Sequence, residues 1–203
     1  MDPSRVLWIG GPRGSGTSAL AQEVAQRAGL QLYSVDDHAE AHEPRLPDTE
    51  FARLSPDDRW LAAKPDQMLA WVLNGSRHRF RLVLEDLRAL ADAPLALVEG
   101  AELFPTSVSA VLGAADQALF LVPDPEQQRE RLLALGPISG TSDGERARVN
   151  ATEGDLLITA RYRQEARDLR LTVLPAERRF GELVEVAETQ FLRAISAAGD
   201  RSP

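Results

Sequence analysis

The chain has 203 residues, among them 31 acidic and 23 basic side chains, for a formal net charge of −8. A chain of this length can build one α/β domain with a real core, and its acidic balance with scattered basic residues argues against nucleic acid as the main partner. It contains no cysteine, so disulfides play no part; with no signal-like start and no apolar run of membrane-span length, the expectation is a cytoplasmic protein without a membrane partner.

The rest of the chain is organised around its first element. Residues 5–18, RVLWIGGPRGSGTS, run from a short apolar strand into a glycine-rich loop, and ALAQEVAQRA follows at once as a helix. Counted from Gly11, the loop has the spacing of the phosphate-binding pattern G-x-x-x-x-G-K-[ST], with Gly11 and Gly16 on the glycines and Ser18 on the hydroxyl position. Glycines let consecutive backbone N–H groups point inward at phosphate oxygens, and the helix adds the positive end of its dipole. The run Gly11, Pro12, Arg13, Gly14, Ser15, Gly16, Thr17 and Ser18 is therefore the candidate nucleotide-binding loop, with Ser18 as a magnesium ligand.

Thr17 stands where the pattern has lysine. A unit charge about 4 Å from a phosphate, at an effective dielectric near 20, is worth roughly 4 kcal/mol, whereas a neutral hydrogen bond from a hydroxyl returns roughly 1 kcal/mol. Either another cation has taken over, for which Arg13 is the nearest candidate, or the loop no longer handles a triphosphate in the usual way. A tight glycine turn without a ligand is the remaining alternative.

Gly29 supplies a stop for the helix, and LQLYSV reads as a second strand ending in Asp36 and Asp37. Ligands of open parallel sheets sit outside the C-terminal strand ends, so Asp36 is the candidate base; its ordinary structural role would be to cap the next segment. Residues 38–54 are polar, hold two prolines, and read as a broken helix or loop over the acceptor, the start of an acceptor-side helical insert over 38–92. His38 and His42 lie one helical turn apart, but nothing else in the sequence completes a metal site with them and Asp37, so they and His78 read as a solvated polar face. Ser55, Pro56 and Asp58 look like a helix start. Pro65 restarts the helical pattern, which carries Met68, Leu69, Val72, Leu73, Phe80, Val83, Leu84, Leu87 and Leu90 to about Ala91, with a possible break at Asn74-Gly75. Trp60, Trp71 and Phe80 fall on its apolar side and read as core.

LALVEG at 95–100 is a buried-strand run. Its Glu99 either holds magnesium beside the phosphate loop or caps the turn at Gly100. VSAVLG reads as a short helix and ALFLVP at 118–123 as a strand closed by Pro123 and Pro125. EQQRERLLAL is a helix carrying Arg129 and Arg131, and the glycine-rich polar stretch 136–153 is the candidate lid loop. Its Arg146 and Arg148 are either placed to close over phosphates or simply solubilise the surface. LLITARYRQEARDL is a helix, LTVLPA the last strand, FGELVEVAETQFLRAI the closing helix, and AGDRSP a frayed end. The expected organisation is a single domain over 1–203.

With strand, loop and helix, YSVDDH at 33–38, LVEG at 97–100 and a late arginine-bearing segment in that order, the chain resembles the P-loop small-molecule and nucleotide kinases, the group of chloramphenicol phosphotransferase, shikimate kinase and adenylate kinase. The resemblance implies a three-layer α/β/α P-loop NTPase fold with a five-stranded parallel sheet and a central first strand. It also implies ATP as donor, magnesium near Ser18, and a small-molecule acceptor whose hydroxyl Asp36 deprotonates, with Arg13 standing in for the lysine, in a monomer or homodimer. The loop is also similar to the P-R-S-G-T-[ST] loop of PAPS-dependent sulfotransferases, although here the run is P-R-G-S-G-T-S, with Pro12 and Arg13 displaced by one residue. A kinase fold that binds a ligand and catalyses nothing is the third possibility.

Overall fold

The computed structural model describes residues 5–89 and 95–199. Five strands, β1 (Val6–Gly10), β2 (Gln31–Ser34), β3 (Ala96–Gly100), β4 (Ala118–Val122) and β5 (Thr172–Pro175), form one parallel sheet in the order β2-β3-β1-β4-β5. The first strand is central, as the sequence resemblance implies.

Parallel strands covered on both faces are apolar throughout rather than alternating, and β1, β3 and β4 are buried at every position. On one face, Val6, Trp8, Val98 and Phe120 pack with Phe80, Val83 and Leu87 of α4 (Pro65–Ala89) and with Ile158, Tyr162 and Ala166 of α7 (Gly144–Asp168). On the other, Leu7, Ile9, Leu97, Leu119 and Leu121 pack with Leu20 and Val24 of α1 (Thr17–Ala28) and with Val184, Ala187 and Phe191 of α8 (Phe180–Gly199). The result is a three-layer α/β/α fold. Short helices α2 (Ala39–His42), α3 (Glu50–Arg53) and α5 (Pro105–Ser109) fill the connections. α6 (Pro125–Leu133) starts where Asp124 accepts from the backbone N–H groups of Glu126 and Gln127. No described helix is long and apolar enough to cross a membrane.

Several expectations need correction. Asn74-Gly75 does not break α4, which runs unbroken through both residues; the Ser76 hydroxyl donates to the Val72 carbonyl one turn back at 2.6 Å. The end of that helix, residues 90–91, lies outside the described residues, as do residues 200–203 of the C-terminal AGDRSP, whose first residues extend α8. Residues 144–153 are not loop but the first turns of α7, capped by Asp143 on the Arg146 N–H, so only 136–143 remain non-helical in the candidate lid. Ser55 does accept from the Asp58 N–H, but the turn it opens passes into a π-helical stretch, Asp58–Ala62. Phe80 is core, tilted against Trp8 at 5.7 Å. Trp60 and Trp71 are only half-buried and instead surround Phe51 at 5.9 and 5.6 Å.

His42 is the largest departure from expectation. It is 0% exposed, not solvated. Its Nε2 lies 2.7 Å from Asp86 Oδ2, which also accepts from the Tyr33 hydroxyl at 2.8 Å, while Arg45 donates to Asp86 Oδ1 at 3.1 Å. His38 stacks on the Tyr33 ring at 4.0 Å. The network fastens the chain after β2 to α4, and with it the turn that carries Asp36.

Candidate active site

The ends of β1 and β3 lie side by side, with Ile9 opposite Glu99 and Gly10 opposite Gly100. At this edge the chain leaves the sheet with no room for side chains: a Cβ on Gly11 would stand 2.3 Å from the Leu121 carbonyl oxygen and 2.7 Å from Ser15 Oγ. The Ser15 N–H then closes a turn on the Pro12 carbonyl at 3.1 Å. Gly16, at φ +92°, turns the chain into α1 and lends its carbonyl to the Leu20 N–H at 3.1 Å. A side chain at this φ is strained by roughly 1–2 kcal/mol, so the pattern glycine has a local physical cause here. The four orphan N–H groups at the start of a helix are free to meet an anion.

Ser18, in the first turn of α1, donates to Glu99 Oε2 at 3.0 Å. Glu99 is 1% exposed, a carboxylate held at the end of a central strand with the loop hydroxyl as its partner. A hydroxyl and one carboxylate suit magnesium, which keeps several waters and relies on substrate phosphates rather than a protein cage. Ser15 is 5% exposed, and its hydroxyl has no hydrogen-bond partner among the described residues, so the loop interior holds an unmet polar group. Thr17 is 7% exposed and fills the interior beside Gly11, whereas Arg13 is exposed.

Charged groups that sequence reasoning missed interact with Arg13 of the loop. Glu102, two residues beyond β3, has its carboxyl pushed up by burial; Asp36 adds to that push, while Arg79 and Arg13 oppose it. Arg79 Nε lies 2.6 Å from Glu102 Oε2, an ion pair without the alignment of a hydrogen bond. Asp155 of α7 is likewise pushed up by burial, against the opposing charges of Arg13 and Arg148. Arg13 thus acts on carboxylates from two elements, and Asp36 stands within electrostatic reach of Glu102. Arg148 donates to the Gly136 carbonyl at 2.8 Å, holding the start of the 136–143 loop. Arg146 is exposed, and its charge acts on Asp57.

That loop is fastened to the segment before α4 as well. The Ser142 N–H donates to Asp57 Oδ1 at 2.7 Å, and Asn150 of α7 donates to the carbonyls of Trp60 and Ala63 at 3.0 and 2.8 Å. The sequence offered a signal for one missed residue: Arg79 is a cation beside Phe80 on an apolar helical stripe. Glu102 and Asp155 carry no such mark, because only the fold brings them within reach of the Arg13 charge.

No protein-family model matches the chain, and no curated protein sequence does. Among solved structures, it is similar to a gluconokinase from Sinorhizobium meliloti at 14% identity, covering 100% of both chains, with a TM-score of 0.49. A sugar kinase from Janibacter matches at 20% identity over 96% of this chain and 97% of that one, with a TM-score of 0.49. A shikimate kinase from Acinetobacter baumannii, in complex with shikimate, matches at 17% identity over 95% and 94%, with a TM-score of 0.48. All three are named as kinases.

Proposed function

We propose that the protein is a phosphotransferase that passes the γ-phosphoryl group of ATP to a hydroxyl of a small molecule. The observation that carries this reading is the Ser18–Glu99 hydrogen bond, 3.0 Å long, directly behind a loop of phosphate-binding spacing. A strand-end carboxylate paired with the loop hydroxyl is the arrangement that phosphate-bound magnesium uses. The unpartnered Ser15 hydroxyl inside the same loop supports a ligand there.

In the reaction, the acceptor hydroxyl oxygen bonds to the γ-phosphorus, the bond from that phosphorus to the β–γ bridging oxygen breaks, and ADP leaves with the electron pair. Asp36 takes the hydroxyl proton as general base. The loop N–H groups and Arg13 hold the phosphates, Arg13 in place of the cation that Thr17 lacks. Arg148 and Arg146 stand on the lid side, to close over the phosphates when a nucleotide is bound. Ser18 and Glu99 would hold magnesium, which supplies charge neutralisation at the outer phosphates.

The burial of Thr17 favours a second reading, a nucleotide binder without transfer, since the fold has filled the space of the lysine with a neutral side chain. ADP release by the purified protein over a panel of hydroxylated small molecules separates the two. Transfer predicts release that falls by roughly a hundredfold or more in Asp36→Asn, with nucleotide affinity kept. Release that is absent throughout, or unchanged in that variant, contradicts it.

A further inference from the structure

Resting on that reading, we propose that Arg79 is a positioning residue for Asp36, aiming the base from α4 without touching the reacting atoms. Asp36 is exposed, and its side chain has no hydrogen bond or ion pair among the described residues, so its place is set by the backbone around it. On the strand side, the Val35 N–H donates to the Glu99 carbonyl at 3.0 Å, which keeps the Asp36 turn beside the strand end whose carboxylate meets Ser18. On the far side, the Ala39 N–H closes the turn on the Asp36 carbonyl at 3.1 Å. The Ala39 carbonyl in turn accepts from a terminal nitrogen of Arg79 at 3.4 Å.

The arginine is itself held. Its side chain is 12% exposed, and its Nε lies 2.6 Å from Glu102 Oε2. The remaining partner, Glu43, has a side chain 72% exposed and contributes little. Glu102 stands two residues beyond β3, and at that strand end a Cβ on Gly100 would lie 2.8 Å from the Val35 Cβ. The turn after β2 and the turn after β3 are therefore packed together, and one guanidinium bridges them; the Asp36 charge felt at Glu102 agrees with that closeness. Asp86, seven residues on and on the same face of α4, fastens Tyr33 and His42 on either side of the turn, whereas Arg79 reaches the turn itself. A rigid planar fork with its nitrogens on separate partners fixes direction as well as charge, which an ammonium on a flexible stem does not. Direction matters here, since a misplacement of about 1 Å at a reacting group can cost on the order of a hundredfold in rate.

The test is a double-mutant cycle between Arg79 and Asp36 in the full chain, read as ADP release from Mg·ATP with the compound of the hydroxylated panel on which wild type is fastest. Arg79→Lys keeps the charge and loses the fork, and should lower kcat by roughly tenfold or more. KM for ATP, and calorimetric affinity for a non-hydrolysable ATP analogue, should stay as in wild type. In the Asp36→Asn background the same substitution should cost nothing further, because no base is left to aim; a merely structural role would lower turnover there as well. Arg79→Gln, carried through the same cycle, should lose at least as much. An equal fold-loss in both backgrounds, wild-type turnover in Arg79→Lys, or loss of cooperative melting in both Arg79 variants overturns the inference and leaves phosphoryl transfer standing. ADP release that is absent in wild type, or unchanged in Asp36→Asn, overturns the reading on which the inference rests, and the inference with it.

Discussion

Ser18 Oγ and Glu99 Oε2 lie 3.0 Å apart, joining the first turn of α1 to the end of β3 across 81 residues of sequence. Glu99 faces the same side of the sheet as Leu97 and Ile9, yet at 1% exposure it is a carboxylate in an apolar layer, with one named donor. If that pair serves magnesium, Glu99→Gln should weaken Mg·ATP binding by roughly tenfold, the usual effect of losing a residue that orients a ligand. Binding of ATP in the presence of a chelator should hardly change. Equal losses with and without magnesium, measured by calorimetry, would assign Glu99 a purely structural role.

The His42 network gives a stability prediction with a defined sign. Burial acts to raise the Asp86 pKa, but hydrogen bonds from His42, Tyr33 and Arg45 outweigh it and hold the carboxyl below its ordinary value. A group whose folded pKa is depressed contributes stability above its unfolded value, about 3.9, and loses it as pH falls through the folded one. Asp86→Asn should therefore cost about 1–3 kcal/mol at neutral pH, since it weakens the acceptor of fully buried His42. The gap from wild type should close as the pH falls below about 4. A gap that stays constant from neutral pH into that acid range, in melting experiments, would mean that the Asp86 charge is not what holds the segment.

The strand-loop-helix start, Glu99 at the end of β3 and Asp36 just beyond β2 were legible because each follows from a local pattern, whereas the central position of β1 came from the resemblance. Positive φ at Gly16, unbroken apolar strands and acids at their ends are all written in consecutive residues. The first turns of α7 were not legible, because Gly144, Asn150 and Gly154 look like loop residues. Gly154 is there for contact: a Cβ on it would stand 2.8 Å from the Met68 sulfur, so it lets α4 and α7 approach closely. Asn150 spends its amide on two carbonyls of the neighbouring segment rather than on its own turn. His42 was misread for the same reason, since its partner Asp86 is 44 residues away.

Thr17 and Arg13 are expected to be coupled. Thr17 is buried beside Gly11, so Thr17→Lys must lead its chain along the loop interior to reach the phosphates. Where it does so, ATP binding should tighten by a measurable part of the roughly 4 kcal/mol available to such a charge. Arg13→Ala should then harm the natural protein more than the Thr17→Lys variant, because the arginine supplies the cation that threonine does not. ATP affinities of wild type, both single variants and the double variant give the coupling energy. Strict additivity, with no gain from the lysine, would show that Arg13 is no substitute for it.

The most direct measurement of the central claim is calorimetric titration of Mg·ATP and of PAPS into the wild-type chain and into Gly16→Val. At φ +92° a valine is strained, and it blocks backbone approach to a phosphate. The account predicts that wild type binds Mg·ATP, that Gly16→Val loses that binding while still melting cooperatively, and that PAPS binds wild type no better than ADP does. Tight binding of PAPS with none of ATP, or Mg·ATP affinity unchanged in Gly16→Val, would contradict it.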